Sequence, residues 1–238
     1  MNNIETGHKC RVSAVITAAG RGTRMKSDIN KQYIELCGIP VLARTIAAFE
    51  ACELIDDIVV VINKEDIKYC KREIIDKYSF SKVKGLVSGG AERQNSVYKG
   101  LCSVDSSCEI VLIHDGARPF VSQDNIIDGI DGAKSYGACG VGVRLKDTVK
   151  ISNREGFVEA TPDRSTLWSI QTPQCFKYIT IIKAHEEAIR DNYIGTDDMM
   201  LVERLGLPVK IIEGDYKNIK ITTPEDLIIG ESILMSNK

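Results

Sequence analysis

The sequence has no run of about 18 apolar residues, so no helix of it is expected to cross a bilayer. Its opening, Met1-Asn2-Asn3-Ile4-Glu5-Thr6, has neither a basic region nor an apolar one, and no secretory signal is expected. Charge of one sign is also missing: 31 Lys+Arg stand against 33 Asp+Glu, a net charge of −2. Without a basic field nucleic acid is not an expected partner, and any anion must be met by locally placed groups. No Cys-x-x-Cys occurs, and His8, His114 and His185 cluster with no cysteine pair, so a zinc site is not expected. The eight cysteines, spread thinly, read as reduced thiols of a cytoplasmic protein. A Walker loop is excluded because no Gly-Lys-Ser/Thr tripeptide exists. A dinucleotide fingerprint fails too, with Met25 at the third glycine position and Asn63 where an acid should follow the second strand.

What is present is ordinary globular chemistry in 238 residues, 43% hydrophobic and 27% charged, enough for one large domain over residues 1–238. Continuous apolar runs at Val12–Ala18, Ile58–Ile62, Val83–Val87 and Ile110–Ile113 alternate with amphipathic stretches at 41–53, 67–78, 93–102 and 126–136. Strands apolar on both sides, separated by helices, predict an α/β fold with a mostly parallel sheet covered on both faces. From about 144 to 176 the pattern turns polar and strand-like, broken by Asn153-Arg154-Glu155-Gly156, which predicts a protruding β-arm with a hairpin turn. Helices near 179–190 and 197–206, a strand at 209–213 and a last helix opened by Thr223-Pro224-Glu225-Asp226 complete the chain.

The chemistry concentrates after the first strand. Small residues at Ala18-Ala19-Gly20-Arg21-Gly22 let backbone N–H groups approach an anion, and Arg24 and Lys31 add cations suited to a triphosphate. The glycines alone fit an ordinary strand-to-helix turn equally well. Asp115 ends a strand at the carboxyl edge of the sheet, where a carboxylate suits Mg²⁺, with Arg118 three residues on. A structural Asp–Arg pair is the alternative, and His114 reads as structural. Lys220, just before the last helix, reads as a surface lysine unless a phosphate site needs it. The arm carries Asp163-Arg164, Leu167-Trp168 and Gln171-Thr172-Pro173-Gln174, with Trp168 as an apolar anchor.

Five ordered blocks carry a resemblance over about Val12–Leu234: Ala18–Met25 with Lys31-Gln32, Gly89-Gly90 with Arg93–Val97, His114–Pro119, Thr161–Trp168 with Gln171–Gln174, and Asn218–Asp226. The chain resembles the 2-C-methyl-D-erythritol 4-phosphate cytidylyltransferases. The resemblance implies a Rossmann-like sheet of nucleotidyltransferase type whose arm crosses a two-fold axis, making a homodimer with Arg164 serving the partner's site. It also implies that Gly20, Gly22, Arg24 and Lys31 hold the phosphates of CTP, with Lys31 and Lys220 near the α-phosphate. Ala18, Ala19, Gly90, Ser96 and Gly116 would contact the nucleoside side, and Asp115 the Mg²⁺–phosphate centre. Arg118, Arg164, Thr172 and Thr196 would bind methylerythritol phosphate. One departure is Asn30, where the family commonly has proline before the loop lysine. The substrate phosphate, already an anion, would attack the α-phosphorus in line and need no strong base. Rival readings are a cytidylyltransferase for another polyol phosphate such as ribitol 5-phosphate, a nicotinamide oxidoreductase and a non-catalytic nucleotide sensor.

Overall fold

Alternate residues of the first strand face two different cores: Ala14 and Ile16 pack into one, Val15 into the other. A strand buried on both faces must read as a continuous apolar run, which is why these segments were legible. The computed structural model describes residues 10–20 and 30–236. Within them the chain runs β1 (Val12–Thr17), a hairpin of β2 (Glu35–Leu36) and β3 (Ile39–Pro40), α1 (Val41–Glu50), β4 (Asp57–Ile62) and α2 (Ile67–Cys70), which widens into a π-turn at Lys71–Asp76. It continues through β5 (Val83–Ser88), α3 (Arg93–Leu101), β6 (Ile110–Asp115), α4 (Gln123–Tyr136) and β7 (Ala138–Arg144). Then come β8 (Ile151–Ser152), β9 (Val158–Ala160), β10 (Trp168–Lys177), α5 (Tyr178–Arg190), α6 (Asp198–Arg204), β11 (Lys210–Glu213) and α7 (Pro224–Ser236).

Seven strands form one sheet in the order β11-β7-β10-β6-β1-β4-β5. Six run parallel; β10 alone is reversed, pairing antiparallel with both β7 and β6. One face is covered by α1 and α4, through Ile46, Phe49, Ile126 and Ile130. The other is covered by α3, α5 and α6, through Val97, Leu101, Ile181 and Leu201. Gly100 lets α3 lie directly on the sheet: a Cβ there would come within 2.5 Å of Val15 and 2.8 Å of Val61. The last helix starts as its sequence predicts, with the Thr222 and Thr223 N–H groups both donating to Asp226 at 2.8 Å. All eight cysteines are free thiols, as expected. No described helix is long and apolar enough to cross a membrane.

The arm is shorter than the sequence predicts. Trp168–Lys177 belongs to the central sheet, so the excursion is confined to residues 145–167. The error has a physical cause: Gln171, Thr172 and Gln174 look like surface residues but are buried and hydrogen-bonded. A satisfied buried amide and an exposed one are the same letter in a hydropathy pattern. What does protrude is the β8–β9 hairpin, turned at the anticipated Asn153–Gly156. There Asn153 Oδ1 accepts from the N–H groups of Glu155 and Phe157, and Gly156 takes φ +90°. Ile151, Phe157 and Val158 are left exposed on it. At its base Trp168 is half-buried, with the Arg144 guanidinium 4.4 Å from its ring centre.

Candidate active site

The chain adds β4 and β5 on one side of β1, then crosses to place β6 on the other. Such a switch of direction leaves a crevice at the carboxyl ends of the two central strands. Thr17 and Asp115 sit side by side there in register, and a cleft of about 290 Å³ opens above them. Its walls are the turn Ala18-Ala19-Gly20, the segment Gly90–Arg93 with Ser96, and the Lys220–Thr222 strip. The two glycine-bearing turns fit together by necessity, since a Cβ on Gly89 would collide with Ala19 and one on Gly90 with Asn95. Ser96 fixes the second turn, accepting from the Gly90 N–H at 3.0 Å and donating to the Glu92 carbonyl at 3.1 Å.

Asp115 is the electrostatic centre. Its carboxylate is buried yet meets Lys220 Nζ at 2.7 Å, Arg93 Nε at 3.3 Å and Arg118 Nε at 3.9 Å. Burial alone would raise its pKa, but Arg93, Lys220 and Arg118 outweigh it and hold the group well below the usual carboxylate range. The Lys220 strip is tied to this centre by the Ile221 N–H donating to Ala117 O and by Arg118 Nη1 donating to Asn218 O. Behind Asp115, its own N–H donates to Thr172 Oγ1, which donates to His114 Nδ1 at 3.0 Å, while His114 Nε2 donates to Arg118 O at 3.1 Å. Full burial pushes the His114 pKa down to about 4, so the ring is neutral and structural, as the sequence suggests.

Of the expected residues, Ala18, Ala19, Gly20, Gly90, Ser96, Asp115 and Lys220 line one cleft. Others stand apart from it. Gly116 lies beneath Ala18, its N–H and carbonyl used by Thr17 and Thr45. Arg118 and Thr172 brace Asp115 from behind. Thr196 is exposed, with its hydroxyl toward Met200 Sδ. Arg164 is exposed on the arm, donating to Lys146 O at 2.6 Å. Gly22, Arg24 and the side chain of Lys31 lie outside the described residues. Asn30, standing where proline is common, is tethered by its side chain to Asp66 at 2.8 Å. Among the described residues no three His, Cys, Asp or Glu side chains converge as a metal cage.

Gln32 and Arg93, both inside the resemblance blocks but given no role there, also line the cleft. Gln32 does so at 1% exposure, with neither amide atom partnered among the described residues. Arg93 spans Asp115 and the buried Asp198, the latter at 2.7 Å. The one local hint for Arg93 is that an arginine opening a helix opposes the helix dipole, a small cost that facing carboxylates offset.

The family described as 2-C-methyl-D-erythritol 4-phosphate cytidylyltransferase matches residues 12–236. A relative of that description from Caldanaerobacter subterraneus subsp. tengcongensis is 51% identical over 223 residues, 94% of this chain and 98% of its own. One from Clostridium novyi is 52% identical over 225 residues, covering 94% and 97%. The crystal structure of 4-diphosphocytidyl-2C-methyl-D-erythritol synthase from Anaerococcus prevotii is similar at TM-score 0.85 and 36% identity, covering 94% and 96%.

Proposed function

Since the chain belongs to the 2-C-methyl-D-erythritol 4-phosphate cytidylyltransferase family, we propose that the cleft takes CTP and transfers its cytidylyl group to 2-C-methyl-D-erythritol 4-phosphate. The products are 4-diphosphocytidyl-2-C-methyl-D-erythritol and pyrophosphate. The observation that carries this reading is the Lys220–Asp115–Arg93 cluster set directly against the Ala18–Gly20 and Gly90 turns. The turns let backbone N–H groups reach the nucleotide, and the cluster supplies N–H donors and net positive charge where phosphates would lie.

The division of labour follows the family resemblance. Ala18, Ala19, Gly90 and Ser96 hold the nucleoside end, and Gly20, Gly22, Arg24 and Lys31 hold the phosphates. Lys220, with Lys31, meets charge developing on the α-phosphate as the sugar phosphate attacks in line. No residue need remove a proton, because the attacking oxygen is already an anion and His114 is neutral and internally bonded. A single ionised carboxylate fits a Mg²⁺ ion whose remaining ligands are phosphate oxygens and water. Asp115 would hold that ion, which neutralises phosphate charge when bound. Arg118 and Thr172 act by fixing Asp115, with the sugar phosphate left to Thr196 and to Arg164 of a second subunit. The exposure of Arg164 on the arm supports a homodimer in which it works in trans.

The test is pyrophosphate release from CTP and Mg²⁺, with methylerythritol 4-phosphate and ribitol 5-phosphate compared. Release with the first alone is expected. Lys220→Ala should lower kcat by about 10²–10³-fold; a normal kcat with only a raised KM would remove Lys220 from the transition state.

A further inference from the structure

We propose that Asp198 and His185, which do not touch the cleft, are positioning residues that act on it through Arg93. The inference rests on the site reading above. Asp198 is 1% exposed and His185 fully buried. Each Asp198 oxygen has its own partner: Oδ2 accepts from Arg93 Nη1 at 2.7 Å, and Oδ1 lies 3.2 Å from His185 Nε2. His185 is held in turn against α3, its ring stacked 6.1 Å from that of Tyr98. Burial would raise the Asp198 pKa, but Arg93 and His185 hold it below the usual range. An ionised carboxylate this deep is costly to keep, and a buried pair is a poor way to gain stability alone.

Its geometry gives it a use. Arg93 is planar and reaches two carboxylates at once, Asp198 through Nη1 and Asp115 through Nε. The guanidinium plane is therefore fixed, with Nη2 unpartnered among the described residues in a side chain that is 32% exposed and lines the cleft. Asp115 divides its oxygens between Arg93 on Oδ1 and Lys220 on Oδ2. If Asp198 loses its charge, Asp115 becomes the only counter-charge for Arg93. The guanidinium is drawn toward it, and Lys220 loses its fixed anchor.

The backbone of Asp198 is secured independently, which makes the idea testable. Gln174 Oε1 accepts from the N–H groups of Asp198 and Met199, and Gln174 Nε2 donates to Asp197. The preceding loop is clamped by Gln94, which donates to Tyr193 O and accepts from the Gly195 N–H. Asp198→Asn should leave these bonds in place. We expect its kcat for CTP and methylerythritol phosphate to fall about 10- to 100-fold with the KM for CTP within about threefold, the scale of small misplacements of reacting groups.

Arg93→Lys, which keeps the charge but cannot span both carboxylates, should show a similar loss. The double variant should be no worse than Arg93→Lys, because Asp198 acts through Arg93. A purely structural Asp198 would give additive losses, and that result, or an Asp198→Asn kcat within twofold of wild type, overturns the proposal. If Asp198→Asn does not fold, Arg93→Lys decides: a kcat within twofold of wild type overturns it too. Lys220→Ala run alongside separates the layers. If Lys220→Ala keeps its kcat, the site reading has failed, whereas a dead Lys220→Ala beside a normal Asp198→Asn sinks the relay only.

Discussion

Replacing Asp115 by asparagine removes one charge and almost no volume. Each of its contacts with Lys220, Arg93 and Arg118, at 2.7–3.9 Å, represents about 4–6 kcal/mol of gross attraction at an effective dielectric near 20. Desolvation and repulsion among the three cations take back most of that. Removing one member of a buried ion cluster costs about 3–5 kcal/mol, and the part-exposure of Lys220 and Arg93 lets them relax toward water. A net loss of about 2–4 kcal/mol remains, or roughly 5–15 °C in melting temperature for a chain of this size. CTP supplies the missing negative charge, so the variant should recover more of its melting temperature on adding CTP than wild type does. The assays are thermal unfolding with and without CTP, and steady-state pyrophosphate release, where kcat should collapse although CTP still binds. An Asp115→Asn protein that melts with wild type and keeps its kcat would refute the cluster as both a structural and a catalytic centre.

Arg164→Ala should leave the melting temperature unchanged, since the side chain is exposed, and raise the KM for methylerythritol phosphate. Mixing it with Lys220→Ala subunits should restore activity if the arginine serves the partner's site; no recovery in mixed dimers would place it in cis. Acid should weaken the fold through His114. The unfolded ring takes a proton below about pH 6.5, whereas the buried one resists until about pH 4. Stability from this residue is complete above pH 6.5 and falls by up to about 3 kcal/mol as pH drops to 4. Urea midpoints across that range should show the slope, and His114→Gln should flatten it.

The fold was legible where burial and hydropathy agree. β4 and β6 are buried throughout and β1 up to Thr17, and all three are apolar almost without interruption, so their position in the sheet could be read directly. β10 was not, because its buried polar side chains are satisfied by partners far away in sequence. The site divided in a similar way. Asp115 and the Ala18–Gly22 turn were visible because local sequence builds them, whereas Gly90 entered by resemblance and Lys220 gained weight only from a phosphate site elsewhere in the chain. Arg93 stood inside a recognised block without a role, since its meaning depends on Asp115 and Asp198, 22 and 105 positions away. Asp198 was hidden for the opposite reason: an acid in the first turn of a helix is ordinary and invites no further question.

Residues 18, 115 and 220 face one another across a single cleft. No fragment holding two thirds of the chain contains all three. In a refolding experiment, regained turnover therefore clocks the completion of the entire topology. Circular dichroism responds earlier, to helices whose contacts are local. A lag between the two signals would measure the time the last strip, bearing Lys220, takes to dock beside Ala117.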